Sequence, residues 1–330
     1  MMKAIEIEQF GSSDVLKVKE IDIPFPNESE VLVEVISTSV NFADIKTRKG
    51  NFHAAGDPPL IIGLEAVGIV KEVGKHVTTL KPGDKVITIT RKGSYAQYIL
   101  GHEDLTYKIP DESNVSYFEG ATLVTFTAYS LLKEVGNIKQ DEYVVIFGAA
   151  GGVGTTAIQI ARFYGAKRVI AIVSTEEKKS MALHAGASDV FLANDLKLPD
   201  KILSITNNRG ADLIIDCYAG QNGENCLQYL SKLGRLVVFG DASGEAALYN
   251  SKKLHSNCQT VSGFSIGTIR DFAPSYLKNI SEQVIKLLAE QHVTIKIGAR
   301  YNLEDAKEAH DLIESRTSTG KIIIDVLNRK

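Results

Sequence analysis

The stretch "VIFGAAGGVGTTAIQIARFYGA", residues 145–166, limits most strongly what this chain can fold into. It begins as an apolar strand, ends with helical spacing, and holds five glycines. A strand, a glycine-rich turn and a helix together make a pyrophosphate site. Glycine lets the backbone approach the phosphates, and the first turn of the helix offers free N–H groups at the positive end of its dipole. Gly151 and Gly154 occupy the second and third glycine positions of such a turn, and Gly152 shortens it further. Ala149 stands where the first glycine is usual. A turn of this kind can also be a tight connection with no ligand. The context of strand, turn, helix and strand points to a dinucleotide.

That context continues downstream. Apolar strands at 143–148, 168–173, 189–193, 211–220 and 235–240 alternate with helical stretches, among them a charged helix at 175–187. Alternation of this kind predicts βαβ units and a parallel sheet, a doubly wound Rossmann domain of the α/β class. Residues 1–100 have a different rhythm. Short β-rich runs at 31–38, 66–74, 83–90 and 93–100 are broken by Gly and Pro and suggest a barrel-like layout. The period lengthens to helical at 119–136. After about 261 the pattern loosens, with a helix near 281–290 and a last strand at 321–327.

A chain of 330 residues suits two domains, and a hydrophobic fraction of 44% fills their cores. The net charge of −3, without like-charge blocks, argues against nucleic acid or an anionic membrane as partner. No apolar run reaches the ~18 residues of a membrane span. The N-terminal "MMKAIEIEQF" lacks the layout of a signal peptide. Cys217, Cys226 and Cys258 lie far apart, which excludes a disulfide framework or a cysteine-rich zinc lobe. A cytoplasmic setting is the expectation.

Several motifs fall in order along the whole chain: "NFADIKTRKG" (41–50), "GLEAVGIVKEVG" (63–74), "KPGDKV" (81–86), "GSYAQY" (93–98), "TFTAYSLL" (125–132), "AAGGVG" (149–154) and "TGKIII" (319–324). With them the chain resembles the zinc-free quinone-reductase branch of the medium-chain dehydrogenase/reductase superfamily, zeta-crystallin included. The resemblance implies a mostly β, GroES-like domain formed by 1–123 with 262–330, and a Rossmann domain at 124–261. It also implies a homodimer joined at the edge of the Rossmann sheet, around Ala247–Lys253 and Val261–Phe264.

The cofactor expected is NADPH. An NAD enzyme usually places an acid at the end of the second Rossmann strand. Here that strand ends in Ser174 and Thr175, and Lys178 follows at helical spacing, where the family carries its phosphate-binding lysine. Glu176 and Glu177 are adjacent, and Ala193 stands where some relatives have a tyrosine. Lys178 as an ordinary surface lysine is the alternative. The resemblance adds Asn41, Thr127, Ala150, Gly151, Gly152, Val153, Phe239, Gly240, Phe264, Ser265, Arg316 and Lys321 as cofactor-lining positions, with Tyr129 beside Thr127.

No metal is expected. Zinc-dependent relatives have a cysteine in the Asn41–Phe42 region and a histidine at Leu64, and neither Asn nor Leu supplies what zinc needs. The chemistry left is hydride transfer to a quinone or an α,β-unsaturated carbonyl. Asn41 is the leading donor to the developing oxyanion, with turn capping as its alternative role. Lys46 is a second candidate. It and Phe52 replace two tyrosines found in some quinone reductases. Asp44 is expected to pair with Arg48 at i+4. An alkenal reductase of the same fold and a low-turnover NADPH-binding sensor remain alternatives.

Overall fold

The computed structural model describes residues 1–52, 56–91 and 93–327. The chain forms two compact units, Met1–Phe126 with Ile266–Lys330, and Thr127–Ser265. The first unit begins with β1 (Met2–Ile7), β2 (Lys17–Ile21), β3 (Glu30–Val40) and a short helix α1 (Phe42–Arg48). It continues through β4 (Leu60–Ile61), β5 (Glu65–Val73), β6 (Lys85–Ile89), β7 (Tyr98–His102) and β8 (Thr106–Lys108). Helix α2 (Thr122–Tyr129) spans the change of unit and runs on into a π-helical stretch, Ser130–Val135.

The second unit alternates strand and helix: β9 (Tyr143–Phe147), α3 (Gly152–Phe163), β10 (Arg168–Val173), α4 (Lys179–His184), β11 (Asp189–Leu192), α5 (Leu198–Ile205), β12 (Ala211–Asp216), α6 (Gly220–Cys226), β13 (Leu230–Val238), α7 (Ser251–Asn257) and β14 (Thr260–Gly263). The chain then returns to the first unit with α8 (Ile266–Phe272), α9 (Pro274–Ala289), β15 (Ile297–Asn302), α10 (Ala306–Glu314) and β16 (Lys321–Asp325).

The second unit is a doubly wound Rossmann domain. Its six strands lie in the order β11-β10-β9-β12-β13-β14, all parallel. This is the order 3-2-1-4-5-6 of dinucleotide folds, with the switch in direction between β9 and β12. The central strands are buried along their length, as the apolar runs required. The first unit is GroES-like and mostly β. A seven-stranded sheet runs β15-β16-β3-β5-β6-β8 with β7 also on β3, beside a smaller sheet β2-β1-β4.

Local differences from the sequence reading have physical reasons. The charged stretch 175–187 begins as a 3-10 turn, Glu176–Lys178, and α4 ends at His184, just before Gly186 at φ +104°. Residues 247–250 form no strand and 251–257 are helical, so only β14 presents an edge in the region expected to pair. Helices α8 and α10 and strand β15 were not expected, although α10 carries an amphipathic helical period with Ala306, Ala309 and His310 buried.

The question of Ala149 is answered by its neighbour. Gly148 adopts φ +63°, so the left-handed step of the turn falls one residue early and Ala149 needs no glycine conformation. Ala149 is buried, and its N–H donates to Ile172 O at 3.1 Å. Gly154 is the close-packing position: a Cβ there would lie 2.3 Å from Gly148 O and 2.5 Å from Ala149 Cα. A Cβ on Gly151 would meet only Gly148 O, at 3.4 Å, and Gly151 has φ −85°. The two glycines therefore have separable roles. Gly154→Ala is expected to lower the melting temperature by several degrees, because helix and strand must part. Gly151→Ala should leave it within a degree or two while weakening nucleotide affinity at least tenfold. Equal thermal loss in both variants, read by scanning calorimetry, would refute the distinction.

Candidate active site

The antiparallel registers of three strands assemble one cluster. β16 pairs with β3 so that Ile322 faces Val40, and β5 pairs with β3 so that Ala66 faces Thr38. The end of β3 therefore meets the starts of β5 and β16. Asn41, Glu65 and Lys321 are the next residues along, and all three are buried. Lys321 Nζ donates to Val40 O at 3.1 Å and to Asn41 Oδ1 at 2.5 Å, and lies 3.0 Å from Glu65 Oε1. Its three hydrogens thus have three acceptors. Glu65 Oε1 also accepts from Ser39 Oγ at 2.5 Å and Asn41 Nδ2 at 3.0 Å, and its Oε2 accepts from Leu123 N–H at 2.8 Å. Burial by itself would raise the Glu65 carboxyl. The Lys321 charge and the hydrogen bonds from Ser39, Leu123 and Asn41 outweigh it and hold the group below its ordinary value.

This wiring fixes the Asn41 amide. An ammonium holds its oxygen and a carboxylate holds one of its two amide hydrogens, so the amide cannot flip without breaking both contacts. The amide also faces the Asp44 carboxyl, and its side-chain hydrogen bond helps to lower that group. Asn41 is also the N-cap residue of α1, and its backbone N–H donates to Asp44 Oδ2 at 2.7 Å. Donor and cap, set out above as alternatives, are therefore combined: Asn41 and Asp44 form the capping box of α1, while the amide keeps its contacts to Lys321 and Glu65.

The expected Asp44–Arg48 pair does not form. α10 packs its polar face toward Arg48, which donates to Gly11 O at 3.2 Å, His310 Nδ1 at 3.3 Å and Glu314 Oε2 at 2.5 Å. An arginine only donates, so His310 Nδ1 accepts and its Nε2 carries the hydrogen that goes to Tyr95 Oη at 3.1 Å. Burial first, and then the Arg48 charge, push His310 down to about 3, so the ring is neutral. Asp44, left without the arginine, is pushed up by burial to about 7, against the lowering effect of the Asn41 N–H and Lys321.

Most of the expected cofactor residues gather in the second unit, at the carboxyl ends of parallel strands. Ala150, Gly151, Gly152 and Val153 follow β9, Ser174, Thr175 and Lys178 follow β10, Phe239 and Gly240 follow β13, and Phe264 and Ser265 follow β14. Ligands of open α/β sheets bind outside that edge. Gly151 caps α3 without a side-chain hydrogen bond, and its surroundings leave room for a phosphate. A dinucleotide therefore fits, with the α3 N-terminus as pyrophosphate cradle. Ser174 and Thr175 are exposed and Lys178 is half-buried. The Thr175 hydroxyl bonds to Glu177 and keeps that carboxyl below its ordinary value. Thr127 is buried on α2, and Tyr129 packs edge-on against Tyr164.

The remaining residues of the site reading lie in the first unit. Lys46 Nζ sits 5.9 Å from the centre of the Phe42 ring. Arg316 is exposed on a left-handed turn after α10. Lys321 is held in the Asn41 cluster. Glu65, Ser39, Tyr95 and His310 were not singled out beforehand. Glu65 alone had a local signal, as a lone acid opening an apolar strand directly after Leu64.

Residues 27–111 match the family described as alcohol dehydrogenase GroES-like domain, and residues 152–282 match the one described as zinc-binding dehydrogenase. The quinone oxidoreductase of Sus scrofa is 33% identical over 98% of both chains. This chain belongs to the quinone oxidoreductase branch of the medium-chain dehydrogenase/reductase superfamily. It is an oxidoreductase of that branch. The human quinone oxidoreductase is 31% identical over 98% of each chain. Among solved structures, the Escherichia coli quinone oxidoreductase complexed with NADPH is 28% identical, with a TM-score of 0.89 over 98% of this chain and 100% of that one.

The two displaced pKa values pull stability in opposite directions. Between about pH 4 and 7 an unfolded Asp44 has lost a proton that the native one keeps, so this group disfavours the fold as pH rises. Below about pH 6.5 an unfolded His310 takes up a proton that the native one refuses until about pH 3, so this group disfavours the fold as pH falls. Asp44→Asn keeps an acceptor for the Asn41 N–H, and its stability relative to wild type should improve steadily from pH 4 to 7. His310→Gln should improve relative to wild type from pH 6.5 down to 4. Urea unfolding across this range checks both, and parallel trends in the two variants would overturn the assignment.

Proposed function

We propose that this protein is an NADPH-dependent quinone reductase that works without metal, acting in the cytoplasm. The observation that carries the reading is the Asn41 amide, a donor whose orientation is fixed by Lys321 and Glu65. It supports a hydrogen bond to an acceptor carbonyl as that oxygen gains charge. NADPH, when bound, supplies the hydride. The NADPH reading is supported by the uncapped α3 N-terminus, by the absence of an acid directly after β10, and by the relative solved with that nucleotide. Lys178, with Ser174, binds the 2′-phosphate, while Thr175 is partly engaged by Glu177. Zinc independence is supported by the donor set: Leu64 and Asn41 occupy the positions of zinc ligands in metal-dependent relatives. No group of three or more His, Cys, Asp or Glu among the described residues could hold an ion.

Reduction of an enal is the second reading, because Lys46 and Phe52 stand where tyrosines are found in some quinone reductases. Lys46 is a weaker donor candidate than Asn41, since its ammonium rests over Phe42. For assembly, the free side of β14 supports a homodimer through sheet extension, because an unpaired edge strand is a liability that pairing removes. Light scattering at micromolar concentration should give twice the chain mass, and a monomer mass would refute it.

One assay tests the reaction: oxidation of NADPH and NADH against panels of quinones and enals, after dialysis against a chelator. Wild type should reduce quinones with NADPH. Asn41→Ala should lose roughly ten- to a hundredfold in kcat/KM, the scale of one hydrogen bond to a charged group. Lys178→Ala should lower the preference for NADPH over NADH about tenfold, which is ~1.4 kcal/mol. NADPH binding with no turnover of any acceptor would favour a sensor and refute the reductase.

A further inference from the structure

The Asn41 cluster contains two carboxylates and one ammonium. Glu65, Asp44 and Lys321 are all buried, and Lys321 acts on both acids. Glu65 is the acid that pairs with it. Besides the ammonium at 3.0 Å, Glu65 accepts from Ser39 Oγ at 2.5 Å, the Asn41 amide at 3.0 Å and the Leu123 N–H at 2.8 Å. Asp44 accepts the Asn41 backbone N–H at 2.7 Å and faces the same amide. One ammonium balances one carboxylate. With Asp44 protonated the cluster is neutral, and with Asp44 ionised it carries one net negative charge.

The other groups around Asp44 keep their charge near neutral pH. Glu65 is held below its ordinary value and stays ionised. Tyr95, in the loop before β7, is pushed well above its ordinary value by burial and then by the Asp44 and Glu65 charges. Arg48, on the same helix as Asp44, is engaged by His310 and Glu314 of α10, and the His310 ring is neutral. Asp44 itself is pushed up by burial to about 7.

Asp44 and an acceptor oxygen compete for one hydrogen. The Asn41 amide has two N–H hydrogens. Glu65 holds one, and the Asp44 carboxyl faces the amide as well. An ionised acceptor makes a hydrogen bond roughly twice as strong as a neutral one, so an ionised Asp44 draws the second hydrogen to itself and a protonated Asp44 releases it. The ionised acid also adds a negative charge to the cluster that meets the oxyanion.

We propose that Asp44 is a proton-operated positioning residue: protonated, it frees the Asn41 amide for the acceptor oxygen, and ionised, it recaptures the amide and opposes the charge gained by that oxygen. The proposal rests on the reductase reading and adds control of its donor by pH.

The test follows oxyanion binding and turnover together. 2,4-Dinitrophenolate, ionised throughout pH 6 to 8.5, stands in for the oxyanion formed when hydride reaches the acceptor, and 2,4-dinitroanisole is its uncharged control. Both are titrated calorimetrically into the protein saturated with NADP⁺. Wild type should lose roughly tenfold in phenolate affinity between pH 6 and 8.5, which is one pKa unit of coupling between the two charges, while its anisole affinity stays level. Asp44→Asn, uncharged at every pH, should abolish the loss, and Asp44→Ser serves as a second uncharged variant. In turnover, kcat/KM of Asp44→Asn for 1,4-benzoquinone relative to wild type should rise from near equality at pH 6 to about tenfold at pH 8.5. This ratio removes the pH dependence of the quinone itself, and a merely structural Asp44 would leave it level. A wild-type phenolate affinity that is level across pH 7 overturns the proposal whether or not a variant folds, and so does a loss that persists in the uncharged variants. A pH-dependent affinity abolished in those variants, with no quinone or enal reduced, upholds the switch and refutes the reductase reading instead.

Discussion

The first unit is organised around a carboxylate buried away from solvent. Glu65 opens β5 in the interior, where an isolated charge is unstable, and it persists because Lys321, Ser39, Asn41 and the Leu123 N–H all point at it. A buried ion pair of this kind is a poor source of stability, since desolvation offsets most of the attraction. Its effect is geometric. Each partner comes from a different segment, so the pair ties the start of β16, the end of β3 and the start of α2 to one point. Removing either charge would leave the other uncompensated, a change that typically costs ~3–5 kcal/mol.

The second unit depends on a different constraint, the approach of α3 to the end of β9. Gly148 turns the backbone and Gly154 lets it pass within contact of the helix. The same close approach leaves the α3 N-terminus open at the carboxyl edge of the sheet. Cofactor chemistry and fold are therefore linked here through backbone alone, with no side chain at the cap.

The buried polar groups of the first unit divide into two sets with different consequences. The Asn41, Glu65 and Lys321 set balances one cation against one anion and fixes the Asn41 amide. The Arg48, His310, Tyr95 and Glu314 set is built around a neutral imidazole whose tautomer is dictated by an arginine. Asp44 lies between them in sequence and is served by a backbone N–H. It is the group for which burial wins over hydrogen bonding.

Much of this was legible in the sequence. Strand and helix periods are local, so the Rossmann domain could be read from its apolar runs, and the glycine turn announced its ligand because backbone approach demands a missing side chain at fixed spacing. Asn41 and Lys178 stood out by motif. What the tertiary structure decided is whatever depends on register and distant contact. Lys321 meets Asn41 across 280 residues of sequence, and Arg48 turns from Asp44 to a helix 262 residues away. Arg91 donates to the Arg270 carbonyl across 179 residues. Nothing within a window of ten residues specifies such pairings, because they follow from how antiparallel strands align and how α10 packs. Local sequence fixes backbone conformation through sterics and hydrogen bonding, whereas the partner of a buried charge is chosen by the fold that buries it.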